Sequence, residues 1–363
     1  MLTKKQHYVP QFLLRRFAAE APSGWKTNVF DIERQQLRNN QNVKDVCAEN
    51  YMYDKDNSFE SFLGEHVENP ASKEIDSIIA TPEKISCTPE RAMLLFLTVQ
   101  IARTRQAYGA NLAFLNKMMG TVFEKFAELN GMDVDAAKRV QMRPEEPRAL
   151  LSYMAASAAT NYRLIADLKV ALIANQTGQE FVLSDNPVFK HNWYLRDCNE
   201  PLSASITVRG LQLFLPLSPK LVYCLYDSSV YAYKTDGPTK SVVHATHDDV
   251  SLLNSFQAIN AESFLVANST HMGAHLQSIG TKYRAAQAFT EHAMATQPTP
   301  DADGKLKSMH YVWREQIRLA KMPSFIKVKN KVRRRSVICE HRQPDLVAAH
   351  ELAQERIKNE NAP

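Results

Sequence analysis

Seven polar side chains of this sequence are of types that could do chemistry: His7, Gln11, Glu60, Glu68, Gln100, Arg103 and Asp185. A histidine titrates near neutral pH, so His7 is a candidate proton carrier or metal ligand. The simpler reading is a ring that bonds the backbone and fixes the entry to the first helix. Glu60 and Glu68 are eight residues apart, which on a straight helix turns them about 80° from one another. They are candidates to face one cavity and hold a divalent cation, Mg or Mn, through oxygen ligands; solvated helix-surface carboxylates are the competing account. Gln100 and Arg103 share one face of the most apolar segment, Ala92 to Ala102. An unpartnered buried polar group costs roughly 2–7 kcal/mol, so Arg103 is expected to seek Glu60 or Glu68. That pair reads either as structural or as the phosphate-binding part of a site.

Asp185 sits in Ser184-Asp185-Asn186-Pro187 directly after an expected strand. It is a candidate catalytic acid or metal ligand, against an Asx-turn as the alternative. Pro187 holds Asn186 extended in either case. His244-x-x-His247-Asp248-Asp249 has metal-like spacing, yet Thr246 with Asp249 three residues later also makes a helix N-terminus. The sequence holds no P-loop, no G-x-G-x-x-G, no H-E-x-x-H and no G-x-S-x-G. Nucleotide-fold, zinc-protease and α/β-hydrolase readings therefore have no support.

The elements that must position these residues are legible as patterns. Strands are expected at 27–32 and 37–43, with an extended segment at 48–54. A helix is expected from Phe59, interrupted at Asn69-Pro70. Thr88-Pro89 marks a helix start, with a helix running to about Tyr108, and further helices at 112–129 and 147–168. Strands at 170–174 and 180–183 read as a hairpin across Gly178, followed by strands at 211–215, 221–226 and 230–233. Helices resume at 250–260 and 272–289. Because strands and helices come in runs, the expected class is α+β, a helical middle packed on a mostly antiparallel sheet.

Several of these pieces together resemble a known family. They are His7-x-x-Pro10-Gln11-x-x-Leu14-x-x-Phe17, Glu49-Asn50-Tyr51-x-Tyr53, Glu60-x-x-Leu63, Glu68-x-x-Ala71 and Gln100-x-x-Arg103-Thr104. Phe181 to Pro187, Leu215-Pro216-Leu217-Ser218-Pro219, Asn254 and Asn260-Ala261 complete the series. In this order the pieces resemble domain-of-unknown-function family 4238, a bacterial family, over roughly residues 6 to 270. The resemblance implies no established activity; it supplies residues, not a mechanism. Pro70, within the helix that follows Glu68, departs from the family pattern and bears on where that carboxylate points.

Hydrophobic residues at 44% and charged residues at 23% are ordinary globular values, which argues against wholesale disorder. Five scattered cysteines without a C-x-x-C pair point away from a disulfide framework and toward a reduced, cytoplasmic setting. No secretory leader or membrane span is read from the sequence. Net charge is +5, but residues 305–335 alone carry six Lys and five Arg against Glu315, which leaves −5 for the rest. The expected organisation is a core at 1–290, a polar linker at 291–310 and a basic C-terminal segment at 311–363 that ends in a helix. In the basic tract, Lys327, Lys329, Lys331, Arg333, Arg334 and Arg335 are candidates to bind phosphate backbones.

The functional expectation is a metal-assisted phosphodiester hydrolase, nuclease-like, in a bacterial defence or toxin setting. The alternative is a non-catalytic interaction protein in which the polar residues form a buried network and the basic segment docks nucleic acid or an acidic protein. The two differ in whether His7, Glu60 and Asp185 meet in an open pocket. A small-molecule binder would instead show an apolar pocket with few polar groups.

Overall fold

The computed structural model describes residues 4–139, 147–196, 205–235, 241–288, 292–300, 306–314, 319, 321–333 and 339–360. The chain opens with β1 (Lys5–His7), α1 (Gln11–Arg15), β2 (Ala19–Ala21), β3 (Gly24–Asp31), β4 (Gln36–Asn42) and β5 (Ala48–Asn50). β1 pairs antiparallel with β5, His7 opposite Ala48. Pro10 stands immediately ahead of α1, where its missing N–H leaves no helix bond unmade. Leu13, Leu14 and Phe17 behind it are fully enclosed, so burial holds this short helix in place.

α2 (Ser58–Leu63) continues through one π turn, Gly64–Glu68, into α3 (Asn69–Ala80). Pro70 accounts for the widening: its ring crowds the carbonyl four residues back and it has no N–H to give it. A π turn inserts about one residue, or about 100° of rotation, so the offset between Glu60 and Glu68 shrinks from about 80° to about 20°. The departure at Pro70 thus brings the two carboxylates onto one face.

α4 (Arg91–Ala102) begins after Glu90, not at Thr88-Pro89, and carries no side-chain cap. The helix expected to run to Tyr108 ends at Arg103. Thr104 Oγ1 accepts from the Ala107 N–H at 3.2 Å and starts a new helix, α5 (Arg105–Asn130). α6 (Val134–Lys138) and α7 (Pro147–Thr160) complete the helical middle.

Two five-stranded sheets follow. One has the order β12 (Val242–Ala245), β6 (Lys169–Asn175), β10 (Leu221–Tyr226), β9 (Gln212–Ser218), β8 (Phe189–His191), with only the β12–β6 pair parallel. The other joins β2, β3, β13 (Phe264–Ala267) and β7 (Leu183–Ser184), with β4 also on β3, all antiparallel. The hairpin expected across Gly178 does not form, because β6 and β7 belong to different sheets. α8 (His247–Asn260) starts with a capping box between Thr246 and Asp249, so the His244–Asp249 segment is a helix N-terminus. α9 (Gly273–Ala288) lies over β3, where Gly280 meets the Phe30 ring. The class is α+β.

The C-terminal segment is tied to this body. β11 (Tyr231–Tyr233) pairs with β16 (Ile326–Val328), which leads into α10 (Asn330–Arg333), and α11 (Pro344–Glu360) ends the described chain. Phe325, Ile326 and Val332 pack in one core cluster with Trp193, Phe214 and Phe256. Residues expected as a polar linker form one arm and part of the other in an antiparallel ribbon, β14 (His292–Pro300) with β15 (Leu306–Arg314). No helix among the described residues is long and apolar enough to cross a membrane.

Candidate functional site

Two groups of polar side chains flank the His7–Tyr8 segment. Successive residues of an extended chain turn their side chains apart, and here they enter different surroundings.

On one side, His7 is 5% exposed and its ring donates to the Val43 carbonyl. Nε2 has no partner and is enclosed, so the ring nitrogen carrying the proton is Nδ1 and Nε2 presents a lone pair. Burial lowers the His7 pKa to about 4, which leaves the ring neutral at physiological pH. The His7 amide donates to the Glu60 carboxylate, whose Oε2 is enclosed without a partner. Burial, with Glu68 nearby, pushes Glu60 up to about 7. Arg103 is fully enclosed. Its Nη1 donates to Glu68 Oε1 at 2.7 Å and its Nε to Gln100 Oε1 at 2.8 Å. Burial is the largest single influence and works against its charge, but Glu68, Tyr53 and Glu60 together outweigh it and the guanidinium pKa is raised. Arg103 Nη2 is left enclosed and without a partner.

The scaffold around these groups is specific. Gln100 Nε2 donates to the Tyr8 carbonyl at 2.8 Å and Tyr53 Oη to the His7 carbonyl at 3.3 Å. Gln6, fully buried, accepts the Tyr53 N–H at 2.7 Å and donates to Asp54 Oδ1 at 2.7 Å. Asp54 Oδ2 in turn accepts the Phe59 N–H at the start of α2. The helix break at Arg103-Thr104 frees Arg103 to turn toward Glu68. From Tyr53 a row of rings runs outward: Phe59 at 5.8 Å, Phe62 at 6.1 Å beyond it, and His66 at 4.9 Å beyond that. Phe62 is 45% exposed and His66 is exposed.

On the other side, Tyr8 lies with Cys47, Arg105, Glu49 and Asp185, and Arg105 Nε bridges to Glu49 at 2.9 Å. Asp185 belongs here and not with Glu60 and Glu68. Its carboxylate accepts the N–H groups of Glu262 at 2.9 Å and Ser263 at 2.7 Å, fixing the turn between α8 and β13. Burial pushes it up to about 7 despite those bonds. Gln11 also stays out of the first group: it lies on the face of α1, where its Oε1 accepts from Arg15. Among the described residues no three His, Cys, Asp or Glu side chains are arranged to hold a metal ion. Glu60 and Glu68 face a guanidinium that already balances Glu68, so their donor set does not call for a cation.

Asn254 and Gln257 on α8 act as side-chain substitutes for a strand partner. Asn254 accepts the Val182 N–H at 3.0 Å and donates to the Glu180 carbonyl at 2.9 Å. Gln257 accepts the Ser184 N–H at 3.0 Å and donates to the Pro187 carbonyl at 2.9 Å. In the basic tract Lys327 and Lys331 are exposed, whereas the half-buried Lys329 donates to the Ser228 carbonyl at 2.5 Å. Lys329 is therefore a clasp holding the segment to the body. Arg333 ends α10, and Arg334 and Arg335 lie outside the described residues.

The arrangement is that of an α+β protein with an enclosed acid, base and guanidinium beside a row of rings. The family model described as "Protein of unknown function (DUF4238)" matches residues 5–271, and the chain belongs to that family. No curated protein and no solved structure matches the chain. Gln6, Tyr8, Arg105 and Gln257 were not selected from sequence as site residues. Only Tyr8, lying between His7 and Pro10, carried a local signal.

Proposed function

We propose that this chain is a phosphodiester hydrolase working by general acid–base catalysis at the His7–Glu60–Arg103 group. The observation that carries the reading is that three enclosed polar atoms, His7 Nε2, Glu60 Oε2 and Arg103 Nη2, have no hydrogen-bond partner, while the charges of Glu68 and Arg103 act on both His7 and Glu60. Unmet buried polar groups are costly, and a site awaiting a ligand is one reason a fold retains them. In this reading His7 Nε2 takes the proton of an attacking water as its oxygen bonds to phosphorus. Glu60 gives its proton to the leaving oxygen as the P–O bond breaks, and Arg103 Nη2 donates to a non-bridging oxygen. The half-exposed Phe62 and its neighbours suit stacked nucleobases, which favours single-stranded nucleic acid as substrate. A cytoplasmic location agrees with the five scattered cysteines and the lack of a C-x-x-C pair, and a defence or toxin setting is consistent with this chemistry.

The test is incubation of the purified chain with single-stranded RNA and DNA, in chelator and separately in Mg²⁺ or Mn²⁺. Cleavage is expected in chelator, falling at least about a hundredfold in His7→Gln and Glu60→Gln. Equal rates in those variants, or strict dependence on the cation, would overturn the assignment. The second reading, a non-catalytic interaction protein, is favoured by the complete enclosure of Arg103 and by Asp185, which holds the Glu262 and Ser263 amides and does not join His7 and Glu60 in an open pocket. It gains if neither strand is cut while the chain still binds nucleic acid or an acidic protein through its exposed lysines.

A further inference from the structure

A cavity of about 770 Å³ opens between α5, α7 and the Asn186–Lys190 segment, away from the His7 group. Its volume is that of small-molecule sites in general. One wall is apolar, including Ile101, Met154 and Val188, and the other carries an interlocked set of amides. Asn186 Nδ2 donates to Gln106 Oε1, Gln106 Nε2 to the Asn260 carbonyl at 3.4 Å, and Asn260 Nδ2 to the carbonyls of Asn186 at 2.5 Å and Val188 at 3.1 Å. These bonds fix the amides in place before any ligand arrives, which reduces the ordering cost of binding.

Lys190 is the basic residue lining this cavity. It lies in β8 between Phe189 and His191, both of which pack into the core, so strand alternation turns it to the other side. Among the described residues its ammonium has no hydrogen-bond or ion-pair partner, and burial alone acts on it, lowering its pKa. Glu262, also on the cavity wall, lies within the field of Arg105. The side chain is half-buried, and a partly desolvated ammonium without a carboxylate partner gains more from meeting an anion than a fully hydrated one does.

We propose that this cavity is a second binding site, for a small organic anion whose phosphate or carboxylate pairs with Lys190 while its uncharged polar body lies against the amide set. The proposal is independent of the hydrolase reading, since it uses none of the same side chains.

Calorimetric titration of the full chain with AMP, nicotinate and adenosine separates the sources of the anion. At least one of the two anions is expected to bind, at least tenfold more weakly to Lys190→Met and undiminished to Glu60→Gln. Adenosine, lacking the charge, is expected to bind at least tenfold more weakly than AMP where AMP is the binder. In the wild-type chain the bound anion is also expected to protect Lys190 from reductive methylation, mapped by mass spectrometry, which needs no variant to fold. Equal binding by Lys190→Met, failure of both anions to bind, or undiminished labelling under saturation would overturn the proposal.

Discussion

Glu60 is where burial has its clearest consequence for a single residue. Its carboxyl is raised from an ordinary 4.5 to about 7. Between those values the folded protein keeps a proton that the unfolded chain has released, so stability falls as pH rises through that window. Glu60→Gln has no such proton to lose. At pH 8 it should unfold about 2–4 °C above wild type, the equivalent of about 1 kcal/mol for a body this large. The difference should vanish by pH 4, and a variant less stable than wild type at pH 8 would contradict the burial assigned here. His7 runs the other way: its folded value of about 4 lies below the ordinary 6.5, so its stability contribution is lost as pH falls between the two. The same pair sets the expected activity profile. Cleavage should decline below about 4, as His7 takes up a proton, and above about 7, as Glu60 loses one. Glu60→Gln should remove the alkaline limb from whatever rate remains. An alkaline optimum would assign the roles to other groups.

Gly280 carries the prediction at the scale of the element, where α9 crosses β3. A Cβ built there would stand 2.5 Å from Phe30 Cε1 and 2.6 Å from Cδ1, and Phe30 is fully enclosed and has nowhere to go. Helix propensity favours alanine over glycine by about 1 kcal/mol, yet overpacking costs about 1–3 kcal/mol. Gly280→Ala should therefore lower stability, and denaturant unfolding with an unchanged or higher midpoint would show that α9 sits farther from the sheet. What the sequence made legible at this scale was local. The Thr246–Asp249 helix start and the strands β9 and β10 are encoded within a few residues, and all are present. The sequence predicts continuous helix through the Arg103-Thr104 break because the bond that goes with the break, Arg103 to Glu68, spans 35 residues. The Gly178 hairpin failed for a similar reason. β7 is short, and β13 with the amides of Asn254 and Gln257, some 70 residues on, satisfies that segment in place of a neighbouring strand. The candidate site shows the same division. Gln100 and Arg103 stand out as polar residues in an apolar helix and His7, Glu60 and Glu68 through the family motifs, and the fold links them: Arg103 bonds Gln100 and Glu68, and the His7 amide faces Glu60. Asp185 fitted that description equally well, and only the fold shows its carboxylate holding the Glu262 and Ser263 amides.

For the molecule as a whole, the charge distribution sets how it would meet a polyanion. The excess positive charge is concentrated in residues 305–335 while the remainder is net negative, yet part of that segment is strapped to the body. Asp249 caps α8 and also accepts the Ser324 N–H and hydroxyl, each at 2.7 Å, and Lys329 clasps Ser228. What the strap leaves outward, among its described lysines, includes Lys327 and Lys331, presented from β16 and α10 at fixed spacing. If these contact phosphates, each should release counterions, contributing about 0.7 to the slope of log affinity against log salt for a single strand. The double variant Lys327→Gln, Lys331→Gln should bind single-stranded RNA more weakly at low salt and lower that slope by about 1.4. Its melting temperature should be unchanged, because neither side chain is part of the strap's packing. Lys329→Gln should behave differently, losing stability through the clasp with a smaller change in slope. A double variant with the wild-type slope would place the polyanion-binding surface elsewhere on the molecule and leave the basic segment without a part in it.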